Sequence, residues 1–225
     1  RTIFIIGGKL DQKPVVVVSA LSKVTDLLYR ISDAAASKDS ALTKELLAEL
    51  RLRHVNLACE LLAQNPVQKE SAITRVNAIC DELDALANAV CAVGELSDRN
   101  KAIIISNGEL LSSTIICFAM NAKGIRTNWI DARKMMVTND AYLKGEPIES
   151  EIVERVPGMI ADAYKGMDAV ITQGFIATNL KGEQTVLGRG GSDYSASLIG
   201  MSIDAERIEI WTDVDGVRTA DPRYV

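Results

Sequence analysis

The chain has 225 residues, 48% of them apolar and 24% charged, with 25 Lys and Arg against 30 Asp and Glu and a single histidine. That length suits one or two domains and a core large enough to need no staples. The mildly acidic, interspersed charge argues against a nucleic-acid face, one histidine argues against histidine-ligated metal and triad chemistry, and no apolar run is read as the roughly 18 residues of a membrane span. The composition is that of a cytoplasmic protein handling small molecules.

Pro14–Ala20 (PVVVVSA) is a short β-branched run of the kind buried on both faces of a parallel sheet. A helical period follows through Val24, Leu27, Leu28 and Ile31. Two long helical stretches come next, divided at Pro66. The first carries Leu42, Leu46, Leu50, Leu57 and Leu61; the second carries Ile73, Val76, Cys80, Leu83, Ala87 and Val90, spaced as in an antiparallel hairpin. The region 38–93 therefore reads as a helical insertion in an α/β domain. His54, on the first of these helices, is expected to be a packed or half-exposed surface residue. Cys59, Cys80, Cys91 and Cys117 sit in apolar helical patterns and are expected to be small buried hydrophobes.

A helix over Lys101–Ala122 is expected to stop at Gly124, followed by a strand at Ile125–Ile130 and an amphipathic helix at Ile148–Ala163. Asp168–Thr172 reads as a buried strand, 176–187 as a hairpin turning at Lys181-Gly182, Ser192–Met201 as a helix and Arg207–Trp211 as a strand. Strands alternating with helices predict an α/β fold, a three-layer sandwich with a mostly parallel central sheet.

The sharpest chemical signal is Leu187-Gly188-Arg189-Gly190-Gly191-Ser192-Asp193. Three glycines before a helix let the backbone approach a ligand, and the helix N-terminus favours phosphate or carboxylate. Arg189 adds a planar fork for a carboxylate, and Ser192 or Asp193 can cap the helix. The segment is neither G-x-x-x-x-G-K-[ST] nor G-x-G-x-x-G, which argues against a Walker ATPase and a dinucleotide-binding dehydrogenase. A second signal is Trp211-Thr212-Asp213-Val214-Asp215-Gly216 with Asp221-Pro222-Arg223, carboxylates at the end of an expected strand where α/β sheets place ligands. A third is Glu109, in Ser106–Ser113: a carboxylate in an apolar run must pair if buried, with a ligand ammonium or a salt bridge, or else be exposed. The fourth is the hydroxyl-rich Ser19–Thr25. Together these describe a small-molecule site at strand C-termini and leave the reaction open.

Taken in order, VVVVSALSKVTDLL (15–28), SNGELLSS (106–113), ITQGFIA (171–177), VLGRGGSDYSA (186–196) and WTDVDGVRTADPR (211–223) resemble the catalytic domain of aspartate kinases, of the amino-acid kinase superfamily. The resemblance implies transfer of the ATP γ-phosphoryl group to the side-chain carboxylate of L-aspartate, the entry to lysine, threonine and methionine synthesis, with Mg2+ carried by the nucleotide and no protein metal site. It implies Arg189, Ser192 and Asp193 as catalytic residues. Thr25, Glu109, Phe175, Arg189 and Ser192 would form the aspartate pocket, with Arg189 on the α-carboxylate and Glu109 on the ammonium. Thr212, Asp213, Arg218 and Arg223 would contact the nucleotide, Arg218 standing where the family usually has a tyrosine. It further implies a homo-oligomeric parent, regulatory ACT domains and a possible fused homoserine dehydrogenase, with no nucleic-acid or membrane partner.

The family's opening Lys-Phe-Gly-Gly-Thr-Ser loop has no counterpart, and Gly7-Gly8-Lys9 is not expected to replace it. A piece of this extent is therefore expected to be inactive by itself. Competing readings are a sister kinase acting on glutamate, acetylglutamate or uridylate, and a non-catalytic ligand-binding relative.

Overall fold

The computed structural model describes residues 2–212. After a short helix α1 (Thr2–Gly7), the β-branched run forms β1 (Val15–Val18), and α2 (Val24–Ala36) follows with Val24, Leu27, Leu28 and Ile31 buried as the period requires. Two long helices come next, α3 (Ser40–Leu61) and α4 (Pro66–Val93). Their ends are written in the sequence. The Asp39 carboxylate accepts the Leu42 N–H at 2.9 Å, the Asn65 side-chain oxygen Oδ1 accepts the Gln68 N–H at 3.1 Å with Pro66 at the first helical position, and Gly94 closes α4 in the left-handed region. The two helices run antiparallel, and Arg51 of α3 bridges to Asn77, Asp81 and Asp84 of α4.

The seam of α4 is as expected. That of α3 is not: Leu42 and Leu61 are partly exposed, and the buried stripe runs through Thr43, Leu46, Leu47, Leu50, His54 and Ala58. His54 is wholly buried, its Nδ1 2.7 Å from the Leu50 carbonyl oxygen, because it falls four residues after Leu50 on the core face. Burial also holds its imidazole below the usual pKa. Cys59 departs from expectation in the other direction and is exposed.

The single helix expected over Lys101–Ala122 is two, α5 (Asp98–Ile105) and α6 (Asn107–Ala122). The Ser106 hydroxyl donates to the Ala102 carbonyl, and the Asn107 amide donates to the carbonyls of Ile103 and Ile104. Side chains that take up carbonyls of the preceding turn interrupt the ladder. By length and composition Asp98–Ala122 is apolar enough to cross a membrane, contrary to the sequence reading; its apolar residues are mostly buried here, as in a core helix.

The chain continues through β2 (Thr127–Trp129), a two-residue β3 (Val137–Thr138) that the sequence did not disclose, and α7 (Glu149–Ala163). It ends in β4 (Ala169–Gln173), β5 (Ile176–Asn179), β6 (Gln184–Val186) and α8 (Gly191–Ser202). One sheet is parallel, in the order β1-β4-β2, with Val18 opposite Gln173 and Trp129 opposite Ile171. A second sheet has the order β3-β5-β6, the β5–β6 hairpin antiparallel as expected. Strand β4 is buried along its whole length, so its residues alternate between two covered faces. Ala169 and Ile171 pack with Met120 of α6 and Ile6 of α1, whereas Val170 joins the main core. Helices on both faces of a parallel sheet give the expected α/β layering.

Arg207–Trp211 is not a strand. Among the described residues no ladder pairs it, and Ile208, Ile210 and Trp211 stay about half exposed. Side chains anchor the segment instead. Glu209 is paired with Lys9 at 2.7 Å, Lys9 stands over the Trp211 ring, and Ile208 lies against Gly200, where a Cβ would come within 2.6 Å of it.

Candidate active site

Four segments meet where β1 and β4 end. The loop after β1 is fixed to α6: the Ser112 hydroxyl donates to the Ser19 carbonyl at 2.8 Å, and the Ala20 N–H donates to Glu109 Oε1 at 3.2 Å. The approach is close because Gly108 has no side chain; a Cβ there would lie 2.7 Å from that of Ala20. The turn after β4 is tied to β1 by the Gly174 N–H on the Val18 carbonyl and to α8 by the Phe175 N–H on the Ser195 hydroxyl at 3.0 Å. A Cβ on Gly174 would meet the Cα and Cβ of Ser192 at 2.6 Å, so the first turn of α8 is seated directly on that turn.

Only Gly174 and Phe175 separate β4 from β5, so the strand leaves one sheet for the other across two residues. Phe175 makes this bend with φ +66°, a conformation that a bulky side chain holds only when its surroundings impose it. Such strain collects at ligand sites. The ring is buried beside Gly191, where a Cβ would come within 2.9 Å of it.

Glu109 opens α6 and is 3% exposed. One oxygen takes the Ala20 N–H; Oε2 is buried with no partner among the described residues. Burial pushes the carboxyl up to about 8, against the opposing pull of the backbone N–H groups of Ala20 and of Glu109 itself. A buried oxygen left unpaired is costly, and a ligand cation would satisfy it.

Helix α8 begins without the side-chain cap expected from Ser192 or Asp193. Gly190, at φ +75°, is its N-cap residue and supplies no side chain. The backbone N–H groups of Ser192 and Asp193 are left without hydrogen-bond partners among the described residues. Free N–H groups at the positive end of a helix form an anion site. Arg189 stands exposed on the loop just before it, in no ion pair among the described residues, so its guanidinium is placed to meet a carboxylate.

The structure thus gathers Glu109, Phe175, Ser192 and Asp193 at the strand ends, with Arg189 on the adjoining loop and Thr25 in the first turn of α2, beside the Val24 that packs on Gly108. Thr212 is exposed at the end of the described residues; Asp213, Arg218 and Arg223 lie outside them. The sequence reading missed Gln173, which is wholly buried and makes three side-chain hydrogen bonds, to α6 and to the connection that follows β2. The available signal was a glutamine closing the apolar run Ala169–Thr172, where a polar side chain must find partners.

Residues 4–225 match the model of the amino acid kinase family. The chain belongs to that family. Among its relatives within the amino acid kinases, the lysine-sensitive aspartokinase 3 of Escherichia coli strain K12 is 34% identical over 213 residues, covering 93% of this chain and 44% of the relative. The chloroplastic bifunctional aspartokinase/homoserine dehydrogenase 1 of Zea mays is 32% identical over 223 residues, 96% of this chain and 23% of that protein. The crystal structure of E. coli aspartokinase III in complex with aspartate and ADP superposes on the whole chain with a TM-score of 0.87 at 30% identity, covering 47% of that structure. The same enzyme in complex with lysine and aspartate gives 0.85. The chain spans between about a quarter and a half of the length of these proteins. The resemblance read from five sequence segments is thereby borne out in sequence and fold.

Proposed function

We propose that this chain is the catalytic portion of an aspartate kinase, transferring the ATP γ-phosphoryl group to the side-chain carboxylate of L-aspartate. The observation that carries the reading is the buried Glu109 oxygen without a partner, across a site whose other groups are suited to anions. Aspartate offers one ammonium and two carboxylates, and the site offers one buried carboxyl, one exposed guanidinium and two N–H groups without partners among the described residues. A nucleoside monophosphate has no ammonium for Glu109. The similarity to an aspartokinase crystallised with aspartate and ADP supports the same reading.

In the proposed reaction an oxygen of the aspartate side chain forms a bond to the γ-phosphorus as the β–γ bridging P–O bond breaks, giving 4-phospho-L-aspartate and ADP. The attacking carboxylate is already a nucleophile, so no general base is required and catalysis is positioning with charge neutralisation. Arg189 would hold the α-carboxylate, Glu109 the ammonium, and Phe175 and Thr25 would close the sides. The N–H groups at the start of α8, with Ser192 and Asp193, would bound the space next to the transferring group. Magnesium would arrive on the triphosphate and neutralise its charge. Thr212, with Asp213, Arg218 and Arg223, is proposed to face the nucleotide. The proposed setting is cytoplasmic, in a homo-oligomer.

The test is hydroxylamine trapping of acyl phosphate by the full-length protein carrying this chain, with ATP and magnesium, comparing L-aspartate, L-glutamate and N-acetylglutamate. Hydroxamate is expected with aspartate alone. Arg189→Ala should raise the aspartate KM by about 10- to 100-fold, the worth of charged hydrogen bonds at about 1.5–3 kcal/mol, without loss of folding, since Arg189 is exposed on its loop. A folded, nucleotide-binding protein giving no hydroxamate with aspartate would overturn the proposal.

A further inference from the structure

We propose that Gln173 is a positioning residue for the amino-acid pocket, holding the Glu109 helix and the Phe175 turn at a fixed distance through a buried network centred on Ser113. This rests on the aspartate kinase reading and adds to it the group that sets pocket geometry without touching substrate.

Gln173 is the last residue of β4 and is wholly buried. Its amide is fully engaged. Oε1 accepts the Ala132 N–H at 2.9 Å, and Nε2 donates to the Ser113 hydroxyl at 3.0 Å and to the Ile130 carbonyl at 3.2 Å. Both amide protons are used, so none is left for a ligand. Ser113 lies on α6 one turn beyond Glu109, and its hydroxyl also accepts the Trp129 indole N–H at 2.9 Å. A single side chain therefore joins the end of β4, the core helix and the connection that follows β2.

The placement matters because of what flanks it. The residue after Gln173 is Gly174, seated against Ser192, and the next is Phe175 in its left-handed conformation. On the helical side, the turn that carries Ser113 also carries Glu109 and Ser112, both bonded to the loop after β1. Freeing Gln173 lets the ammonium-facing and ring-bearing walls shift relative to each other. Small displacements of this kind are enough to lose binding. Apolar contacts, those of Ala169 and Ile171 with Met120 among them, also hold β4 to α6. A fully satisfied polar network specifies one arrangement.

The experiment uses the full-length protein and the variants Gln173→Met, which keeps the volume and removes all three hydrogen bonds, and Ser113→Ala, which removes the hub. Steady-state KM for aspartate and for ATP is measured alongside calorimetric titration of L-aspartate without nucleotide. Each variant is expected to weaken aspartate about tenfold in both measurements, with the ATP KM within twofold, and the double variant to be no weaker than the worse single one. Lost folding alone would lower the active fraction, hence kcat, and leave the aspartate KM in place. Should Gln173→Met fail to fold, Ser113→Ala carries the same expectation. Aspartate affinity within twofold of the unaltered protein, or aspartate and ATP weakening together, overturns the inference. An unaltered protein that neither binds nor phosphorylates aspartate overturns the functional reading instead, and this inference with it.

Discussion

Glu109 holds two opposed demands in one side chain. In the proposed pocket it is buried where an ammonium would meet it, and that burial raises its carboxyl to about 8. No charged side chain among the described residues contributes to that shift, so burial alone keeps the group neutral at pH 7 without a ligand. The consequence for stability has a definite sign. Between the ordinary glutamate value near 4.5 and about 8 the folded chain binds more protons than the unfolded one, so stability falls as pH rises across that window and levels off above it. Melting of the ligand-free protein should therefore drop by several degrees from pH 5 to pH 8, and Glu109→Gln should flatten that slope. Equal slopes for the two proteins would show that Glu109 does not carry the titration. An amino-acid ammonium reverses the balance by favouring the carboxylate, so aspartate binding at pH 7 should release protons, measurable as a dependence of binding enthalpy on buffer ionisation.

At the scale of elements, glycines divide into those that permit contact and those that permit nothing in particular. Gly174 lets α8 rest on the turn after β4, and a methyl there would fall 2.6 Å from Ser192 backbone and side chain. Gly174→Ala should cost about 1–3 kcal/mol in urea unfolding, the usual price of overpacking, and should move Ser192 away from Phe175. Gly158 lies inside α7, and a Cβ there meets nothing within 4 Å. Gly158→Ala should stabilise by about 0.5–1 kcal/mol in the same assay, through the lower backbone entropy of the unfolded chain. Beside it, Pro157 interrupts the helical ladder without ending the helix, because Ile152, Val156 and Ile160 still share one buried face. The break at Ser106 works differently: it restarts the helix with Asn107, Gly108 and Glu109 in the first turn of α6, which aims Glu109 at Ala20.

Across the whole molecule, one core cluster runs from α2 through α3 and α4 to α6, α7 and the sheet, and includes Leu50, Val76, Leu83, Leu111, Ile160 and Val170. The long hairpin of α3 and α4 therefore shares apolar surface with the layers that build the site. Leu83→Ala, at a side chain 2% exposed, should cost about 2–5 kcal/mol. The melt should remain a single transition; a separate early step would show the hairpin unfolding by itself. The sequence alone determined most of the elements, since apolar periodicity, β-branched runs and the caps Asp39, Asn65, Pro66 and Gly94 are local properties of the chain. It also determined the resemblance to aspartate kinases and the residues on which it rests. Tertiary structure decided the burial of His54, the exposure of Cys59, the absence of a strand at Arg207–Trp211 and the network around Gln173. Each depends on which neighbour covers a face or pairs a backbone group. Such neighbours are remote in sequence, as Glu109 is from Ala20 and Gln173 from Ser113, and no local pattern encodes their approach.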